Sequence, residues 1–562
     1  MCTYDLEVVY KMEMNTGRLR VVGSVVCAAA VAAVLGSANA VADSGQSPRV
    51  DQVVAGLLAP TAVEQHGRPQ PAPLAYPTIT SPGEASGAVT SSADEVASFP
   101  RLRPFAGAAQ VPVPRVPAKN VVDPDRKRNA GAGGLFFQND AAGLDNSTFP
   151  GGQPPDPSGI AGDNHYVQVV NRSTMAVYRK SDLTRLRTSN LQTFLGAPSP
   201  VFDPHATLDY TTRRYAVAAT DGTSVHLAVS STQDAMGSWC VYHFGGLNAD
   251  NPGGLADYPL IAFNDAFYIS VTEFNSARQF TGNRMIIINR EDLLACRGVR
   301  VGFFANLTYP GTTDRVGAIA PVTSTSTTNV TGGIDQWVAS HAGGGSDITM
   351  FRYDTAGGLA SYRMPSQNYA TPPDAAQRNS TSRIDAGDSR IFQATDILYA
   401  NGSGTGSIVF ALASACTFDG NPNTFGCIEW FRVAIGCAGC GHSISDQAIF
   451  GFGADTWATF PSTAMDVDGN MIFNYAFSGT NFHPSAGTIG IRVLQGFTDN
   501  YFQNYGVNVY NRGDPSRWGD YTSIFLDPIG QNPGKTFWSA SETALPDNQW
   551  GTHISGVQIL GK

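Results

Sequence analysis

The sequence predicts an all-β protein that is built from a repeated unit of four short strands. Glycine is abundant (60 residues), aromatic residues make up 10% of the chain and charged residues only 15%, which suits short strands and tight turns better than amphipathic helices. After residue 134 an apolar β-run, a turn and a second β-run recur seven times, about 61 residues apart. This pattern is typical of a seven-bladed β-propeller; six and eight blades are the alternatives, and an array of β-sandwiches is the competing architecture.

Residues 1–40 have the pattern of a signal peptide. Arg18 and Arg20 precede an apolar run at residues 21–35, and residues 38–40 (Ala-Asn-Ala) supply a small-x-small cleavage site. We therefore expect a secreted protein, extracellular or periplasmic, and no later stretch has the apolar length of a membrane span. Residues 41–133 are rich in Pro, Ala, Val, Ser and Gly without a period, which predicts a disordered linker or pro-segment before a propeller domain at 134–562.

Each predicted unit begins at a turn-forming segment, and six of the seven segments contain an aspartate. The opening positions are Asp156, Asp203, Asp257, Asp314, Asp388, Phe460 and Asp520. The clearest strand signals that follow them lie at residues 165–171, 214–219, 267–272, 336–340, 407–412, 471–475 and 536–540. The ring could close if residues 135–137 pair with residues 554–559.

Charge and cysteine content limit the partners and the compartment. The net charge of −10 repels phosphate backbones and argues against a nucleic-acid partner. Six cysteines follow the signal segment, and an even number in an exported protein indicates disulfides, although six allow 15 pairings. They are Cys240, Cys296, Cys416, Cys427, Cys437 and Cys440. A turn at residues 419–422 favours pairing of Cys416 with Cys427. Cys437 and Cys440 have the spacing of a redox pair, but no βαβ pattern surrounds them, which favours a structural disulfide.

The opening aspartates are the first candidates for chemistry. In a propeller the first strands start at one end of the central channel, so equivalent aspartates would form a ring that could hold Ca²⁺ or supply an acid/base pair. The alternative is that each aspartate caps its own turn, and repetition favours this structural role. Residues that depart from the repeat are therefore better candidates. The catalytic candidates are Asp388, Asp520, Asp257 and His205, and the substrate-binding candidates are Tyr258, Arg315, Arg390, Arg517 and Trp518. The sequence assigns no metal ligand.

Four phrases resemble a group of exported bacterial β-propeller proteins of uncharacterised activity. They are PPDPSGIAGDNHYVQVVN at residues 154–171, DAGDSR at 385–390, FSGTNFHPSAG at 477–487 and RWGDYTS at 517–523. The resemblance extends over nearly all of residues 134–562. More distantly the units are similar to sialidase-like and polysaccharide-lyase propellers, but the chain lacks the Ser-x-Asp-x-Gly-x-Thr-Trp box of sialidases, so no residue role is transferred from them.

These observations predict a secreted propeller that binds, and could cleave, an extracellular polysaccharide. Trp and Tyr stack on sugar rings while Asp and Arg bind hydroxyls or uronates, and such residues are interleaved at the predicted channel end. A hydrolase would use two carboxylates, and a lyase His or Tyr with Arg. The alternative is a non-catalytic adhesin or protein-interaction scaffold. The sequence contains no motif of an α/β-hydrolase, a zinc protease or a nucleotide-binding enzyme.

Overall fold

The computed structural model describes residues 63–83, 111–122, 134–146, 153–171, 174–247, 253–326, 334–354, 358–399, 405–436, 443–453, 455–492, 496–498, 501–527, 529 and 534–560. All of them belong to one compact unit of the chain, Val50–Lys562. The predicted signal peptide and the pair Cys437 and Cys440 lie outside the described residues. In the described part of the chain, no helix has the length and apolar character needed to cross a membrane.

Four strands precede the repeated units. They are β1 (Val63–Gly67), β2 (Gln70–Ala75), β3 (Thr78–Thr80) and β4 (Leu135–Asp145). The described residues then form seven consecutive groups of antiparallel strands, which we call units 1 to 7.

Units 1 to 3 have four strands each along the chain. Unit 1 comprises β5 (Ser158–Ala161), β6 (His165–Val170), β7 (Thr174–Arg179) and β8 (Arg185–Asn190). Unit 2 comprises β9 (Phe202–Asp209), β10 (Arg214–Thr220), β11 (Val225–Ser230) and β12 (Trp239–Phe244). Unit 3 comprises β13 (Leu255–Phe263), β14 (Phe267–Phe274), β15 (Phe280–Ile288) and β16 (Val299–Ala305). Two short helices, α1 (Leu191–Phe194) and α2 (Arg290–Leu294), begin at the capping asparagines Asn190 and Asn289.

Units 4 and 5 share one nine-stranded sheet, because their first strands pair in parallel. Unit 4 comprises β17 (Ala320–Ser324), β18 (Ile334–Ala339), β19 (Gly344–Asp354) and β20 (Gly358–Ala370). Unit 5 comprises β21 (Ala394–Leu398), β22 (Gly406–Phe418), β23 (Asn421–Ile435) and β24 (Ile444–Phe450). A disulfide joins Cys416 of β22 to Cys427 of β23, which confirms the predicted pairing, and a second joins Cys240 to Cys296.

Units 6 and 7 complete the series. Unit 6 comprises β25 (Thr456–Met465), β26 (Met471–Gly479) and β27 (Phe482–Arg492), against which both β28 (Gly496–Phe497) and β29 (Tyr501–Gly506) pair. Unit 7 comprises β30 (Ser523–Leu526), β31 (Thr536–Leu545) and β32 (Gln549–Ile559), and takes its fourth strand, β4, from the start of the domain. Leu135 pairs with Ile559 and Phe137 with Val557, so the predicted closing strand is confirmed.

The first strands of consecutive units contact one another around the series: β5 contacts β9, then β13, β17, β21, β25 and β30 follow, and β30 contacts β5 again. The apolar core fills the spaces between the faces of neighbouring units. Between units 1 and 2, for example, Val167 and Val177 pack with Leu208, Val217 and the fully buried Trp239. Because both faces of most strands are covered in this way, the strands are continuous apolar runs with little alternation.

The segment from residue 41 to residue 133, predicted to be a linker without regular structure, contains ordered strands where the structure describes it. Strands β1, β2 and β3 pair antiparallel with the outer strands of unit 4 (β20), unit 3 (β16) and unit 2 (β12), and Gly83 exchanges hydrogen bonds of 3.1 and 2.9 Å with the Ser189 hydroxyl of unit 1. We call residues 63–83 the belt. Further along, Arg115 bridges to Thr417 and Val121 to Gly451 at unit 5. The belt lies along the outer edges of the units, where prolines such as Pro71 are tolerated.

Candidate functional site

Four opening residues meet where the first strands begin. Asp156, Asp203, Asp257 and Asp520 come from units 1, 2, 3 and 7, and each is at most 5% exposed. Together with the guanidinium of Arg517 they form what we call the carboxylate cluster. The sequence predicted a ring of six aspartates, and in the structure these four lie close together.

Hydrogen bonds show what the aspartates of the cluster do. The carboxylate of Asp156 accepts from the backbone N–H of Asp520, 2.7 Å away in unit 7, and from the side-chain amide of Asn171 at 2.7 Å. Asn171 in turn accepts from the backbone N–H of Asp203 at 3.1 Å, and Asp203 accepts from that of Tyr258 at 3.3 Å. These side chains therefore join the openings of neighbouring units, units 7 and 1, 1 and 2, and 2 and 3.

Some of the aspartates also cap their own turns, as the structural alternative predicted. Asp257 accepts from the N–H of Tyr258 at 3.1 Å, and Asp388 accepts from the N–H of Arg390 at 3.0 Å. Such bonds satisfy backbone donors that would otherwise be buried without a partner. Capping within and between units accounts for the repetition of aspartate along the chain.

The backbone reveals a repeat that differs from the predicted one. In four units a residue with left-handed φ stands directly before a proline at the start of the first strand: Asp156 (41°), Asp203 (50°), Tyr258 (52°) and Phe460 (51°). In units 2, 3 and 6 the ladder between the first and second strands shifts register at this point. The position equivalent to Asp156 in unit 3 is thus Tyr258, and the predicted alignment of Asp257 was one residue out. The x-Pro dipeptide was the available sequence signal.

The charges of the cluster do not balance if every carboxyl is ionised. Burial raises the pKa of Asp156 and of Asp257 well above the usual range, and neighbouring aspartates raise both further. Burial also raises the pKa of Glu542, which lies beneath the cluster close to Asp156 and Asp520. The neighbouring carboxyl of Asp203 also raises the pKa of Asp257 and so favours its protonated form. The cluster is therefore a group of partly protonated carboxyls around one guanidinium.

The remaining ionic candidates are held in buried pairs. Arg517 Nη2 lies 2.5 Å from Asp520 Oδ2, and its Nη1 lies 3.5 Å from Asp385 Oδ2. Arg390 Nε donates to both oxygens of Asp388 at 2.8 Å, with the two side chains 3% and 4% exposed. Its guanidinium lies 4.4 Å from the ring centre of Tyr258. Arg517 is therefore held by two carboxylates, whereas Arg390 is held through Nε and its buried Nη1 has no hydrogen-bond partner among the described residues.

Aromatic and amide side chains fill the space beside the carboxylate cluster. The ring of His205 packs on that of Tyr521 with centroids 4.1 Å apart and an angle of 31° between the ring planes. Gln393 Nε2 donates to the carbonyl of Ile524 at 2.5 Å and to that of Thr463 at 3.2 Å. The cavity that remains, lined by residues of six units, has a volume of about 20 Å³. This space admits a water molecule but no sugar ring. Burial lowers the pKa of His205 to about 3, so its imidazole is neutral.

Two predicted substrate-binding residues lie away from the cluster. Asp314 and Arg315 belong to a turn that precedes unit 4, whose first strand starts only at Ala320. Arg315 is therefore exposed, and it donates to the carbonyl of Thr281. Trp518 is 1% exposed and packs edge-to-face on Tyr510 at 4.8 Å, so it offers no surface to a sugar. These placements differ from the expectation that both side chains line a funnel.

The structure brings in residues that the sequence did not single out. Asn171 bridges units 1 and 2, Glu542 lies under Gly519, and Tyr521 donates to the carbonyl of Pro204 at 3.0 Å. Asn171 and Tyr521 lie within the phrases at residues 154–171 and 517–523, whereas Glu542 lies in none of the four phrases. Calcium was considered for the cluster, but among the described residues no group of three or more His, Cys, Asp or Glu side chains is arranged to hold a metal ion.

Comparisons with known proteins leave the site to be interpreted from its own chemistry. No family model matches the chain, and no curated protein matches it. The proposals below therefore rest on the described residues and on the sequence pattern.

Proposed function

We propose that residues 134–562 form a seven-bladed β-propeller that is exported and binds an extracellular polysaccharide without cleaving it at the carboxylate cluster. The propeller is supported by seven groups of antiparallel strands whose first strands contact one another in a closed series. Export is supported by the signal-peptide pattern and by two disulfides, which persist in oxidising compartments.

One observation carries the choice of a binding module over an enzyme: two of the three predicted catalytic carboxylates are held by arginines. Asp388 is bound through both oxygens by Arg390, and Asp520 is bound by Arg517. A glycoside hydrolase needs two carboxyls that face the scissile bond from a cleft, separated by about 5 Å or more with room for the sugar. The cavity of about 20 Å³ next to the cluster has no such room. The cluster is therefore better suited to joining the units than to catalysis.

The test uses the exported chain with its own N-terminal segment. Neutral, sialylated and uronic polysaccharides are offered in a binding assay, while reducing ends and the ultraviolet absorbance of unsaturated uronates are followed. We expect retention on at least one polysaccharide and no release of product. Product release that disappears in a folded Asp388→Asn variant would restore the enzyme hypothesis. Absence of binding to every polysaccharide would favour the protein-interaction scaffold.

A further inference from the structure

A polar pocket lies between units 1 and 2, at the far end of their first strands from the carboxylate cluster. Its volume is about 600 Å³, within the range of about 300–1,000 Å³ that is usual for ligand sites. Three turns form it: the β5–β6 turn, the β9–β10 turn and the β11–β12 turn. The lining residues are Asp163, Asn164, His165, Thr212, Arg214, Thr232, Gln233 and Asp234.

The eight lining side chains are all polar, and they carry both hydrogen-bond donors and acceptors. Two carboxylates accept, one guanidinium donates, and hydroxyls, amides and imidazole can do either. The carboxylates have cationic or titratable neighbours: Asp163 lies 3.5 Å from Arg213, and Asp234 lies 3.4 Å from His165. Little net charge is therefore presented to a ligand.

Hydrogen bonds outside the pocket hold this lining in place. Asp209 accepts from the backbone N–H of Thr212 at 2.9 Å, and Arg214 donates through Nε to the carbonyl of Ser230. The hydroxyl of Tyr215 donates to the carbonyl of His165 at 2.9 Å, which ties unit 1 to unit 2 directly behind the pocket. A site that is fixed before binding loses less entropy when it takes up a ligand.

Four polar atoms of the lining residues have no hydrogen-bond partner among the described residues, and two of them, Asp163 Oδ1 and His165 Nδ1, lie in the ion pairs named above. Thr212 Oγ1 and Arg214 Nη2 are enclosed, and neither has a hydrogen-bond partner among the described residues. A buried polar group without a partner destabilises the folded state, so such groups normally bond to something. Both atoms are closed to water, so they belong to the packing behind the pocket, and a ligand would contact the exposed groups of Thr232, Gln233 and Asp234.

We propose that this pocket binds a neutral sugar residue of the polysaccharide, an inference that rests on the proposed function and names its site. Sugar hydroxyls donate and accept at the same time, which matches a lining that mixes carboxylate, guanidinium, amide and hydroxyl groups. The lining contains no Trp, Tyr or Phe ring, so recognition proceeds mainly through hydrogen bonds and not through stacking on the pyranose face. A uronate would place a third carboxylate beside Asp163 and Asp234, and the pocket therefore disfavours it.

The experiment compares a pocket variant with a matched surface variant of the exported chain. Gln233→Ala/Asp234→Ala removes two side chains from an exposed turn, whereas Asp182→Ala removes an exposed carboxylate from a turn of unit 1 outside the pocket. Calorimetric titrations use neutral and uronic oligosaccharides cut from the polysaccharide that the chain binds. We expect the double variant to bind neutral oligosaccharides at least about tenfold more weakly than the wild type, while Asp182→Ala binds them equally well. Thermal unfolding confirms that both variants are folded.

Three outcomes would overturn the inference. Unchanged affinity of the double variant, with wild-type binding intact, would place the sugar site elsewhere and leave the proposed function standing. Tighter binding of uronic than of neutral oligosaccharides would contradict the neutral-ligand assignment. Failure of the wild type to bind any polysaccharide would remove both the site and the proposed function.

Discussion

Removal of the Arg517 guanidinium tests whether the carboxylate cluster is a closed structural element. The side chains of Arg517 and Asp520 are 16% and 5% exposed, and their ion pair is 2.5 Å long. Taking away one partner of a buried pair leaves an uncompensated charge and costs about 3–5 kcal/mol. Both groups are well below a third exposed, so we expect Arg517→Met to lower the free energy of unfolding by about this amount at pH 7.

The measurement is equilibrium unfolding in guanidinium chloride, followed by tryptophan fluorescence. Arg512→Met is the matched control, because Arg512 is exposed and its guanidinium donates to the carbonyl of Asn548. Loss of this guanidinium should cost less than about 1 kcal/mol. The double variant Arg517→Met/Asp520→Asn should recover part of the stability, since no ionised partner is then left in the pair. A loss below about 1 kcal/mol for Arg517→Met alone would mean that the pair is solvated and that an open site has to be reconsidered.

Three further predictions follow from the same structure. Burial raises the pKa of Asp257, so the folded state keeps a proton that the unfolded chain releases above about pH 4. The free energy of unfolding should therefore fall as the pH rises through the folded pKa. Asp257→Asn should flatten this slope in denaturation series from pH 5 to 8. A Cβ at Gly519 would lie 2.5 Å from Glu542 Oε1, so Gly519→Ala should cost about 1–3 kcal/mol in chemical unfolding, and an unchanged midpoint would contradict the packing described. The disulfide between Cys240 and Cys296 closes a separation of 56 residues, and its replacement by two serines should cost about 4 kcal/mol in the same assay.

The sequence predicted the strands best where the chain is apolar and buried on both sides. The signal at residues 471–475 falls within β26, and that at 536–540 falls within β31. The closing contact of β4 with β32 was also predictable, because a series of repeated units leaves one strand missing at its end. Apolar runs of this kind indicate a buried strand independently of the loops on either side.

The sequence could predict that the aspartates lie close together, but not which groups each of them contacts. Nothing in the sequence states that Asp156 caps Asp520, which is 364 residues away, because that contact depends on how the units are arranged around the series. The pattern of an aspartate in a turn also did not identify the start of a unit. Asp314 has this pattern in an exposed turn, whereas in unit 3 the residue with left-handed φ is Tyr258 and not an aspartate. Residue type alone could not separate a backbone role from a catalytic one.

The belt was invisible in the sequence because it pairs through its backbone. An added edge strand satisfies its N–H and C=O groups on a neighbour and needs no apolar period of its own.

The belt has a consequence for any shortened form of the protein. Strands β1, β2 and β3 shield the outer edges of units 4, 3 and 2, which otherwise present rows of unpaired backbone groups. A chain that begins at residue 134 would keep its seven units and yet expose three adhesive edges, each able to accept a strand from another molecule. A protease that cuts behind residue 83 and releases the belt would expose the same three edges.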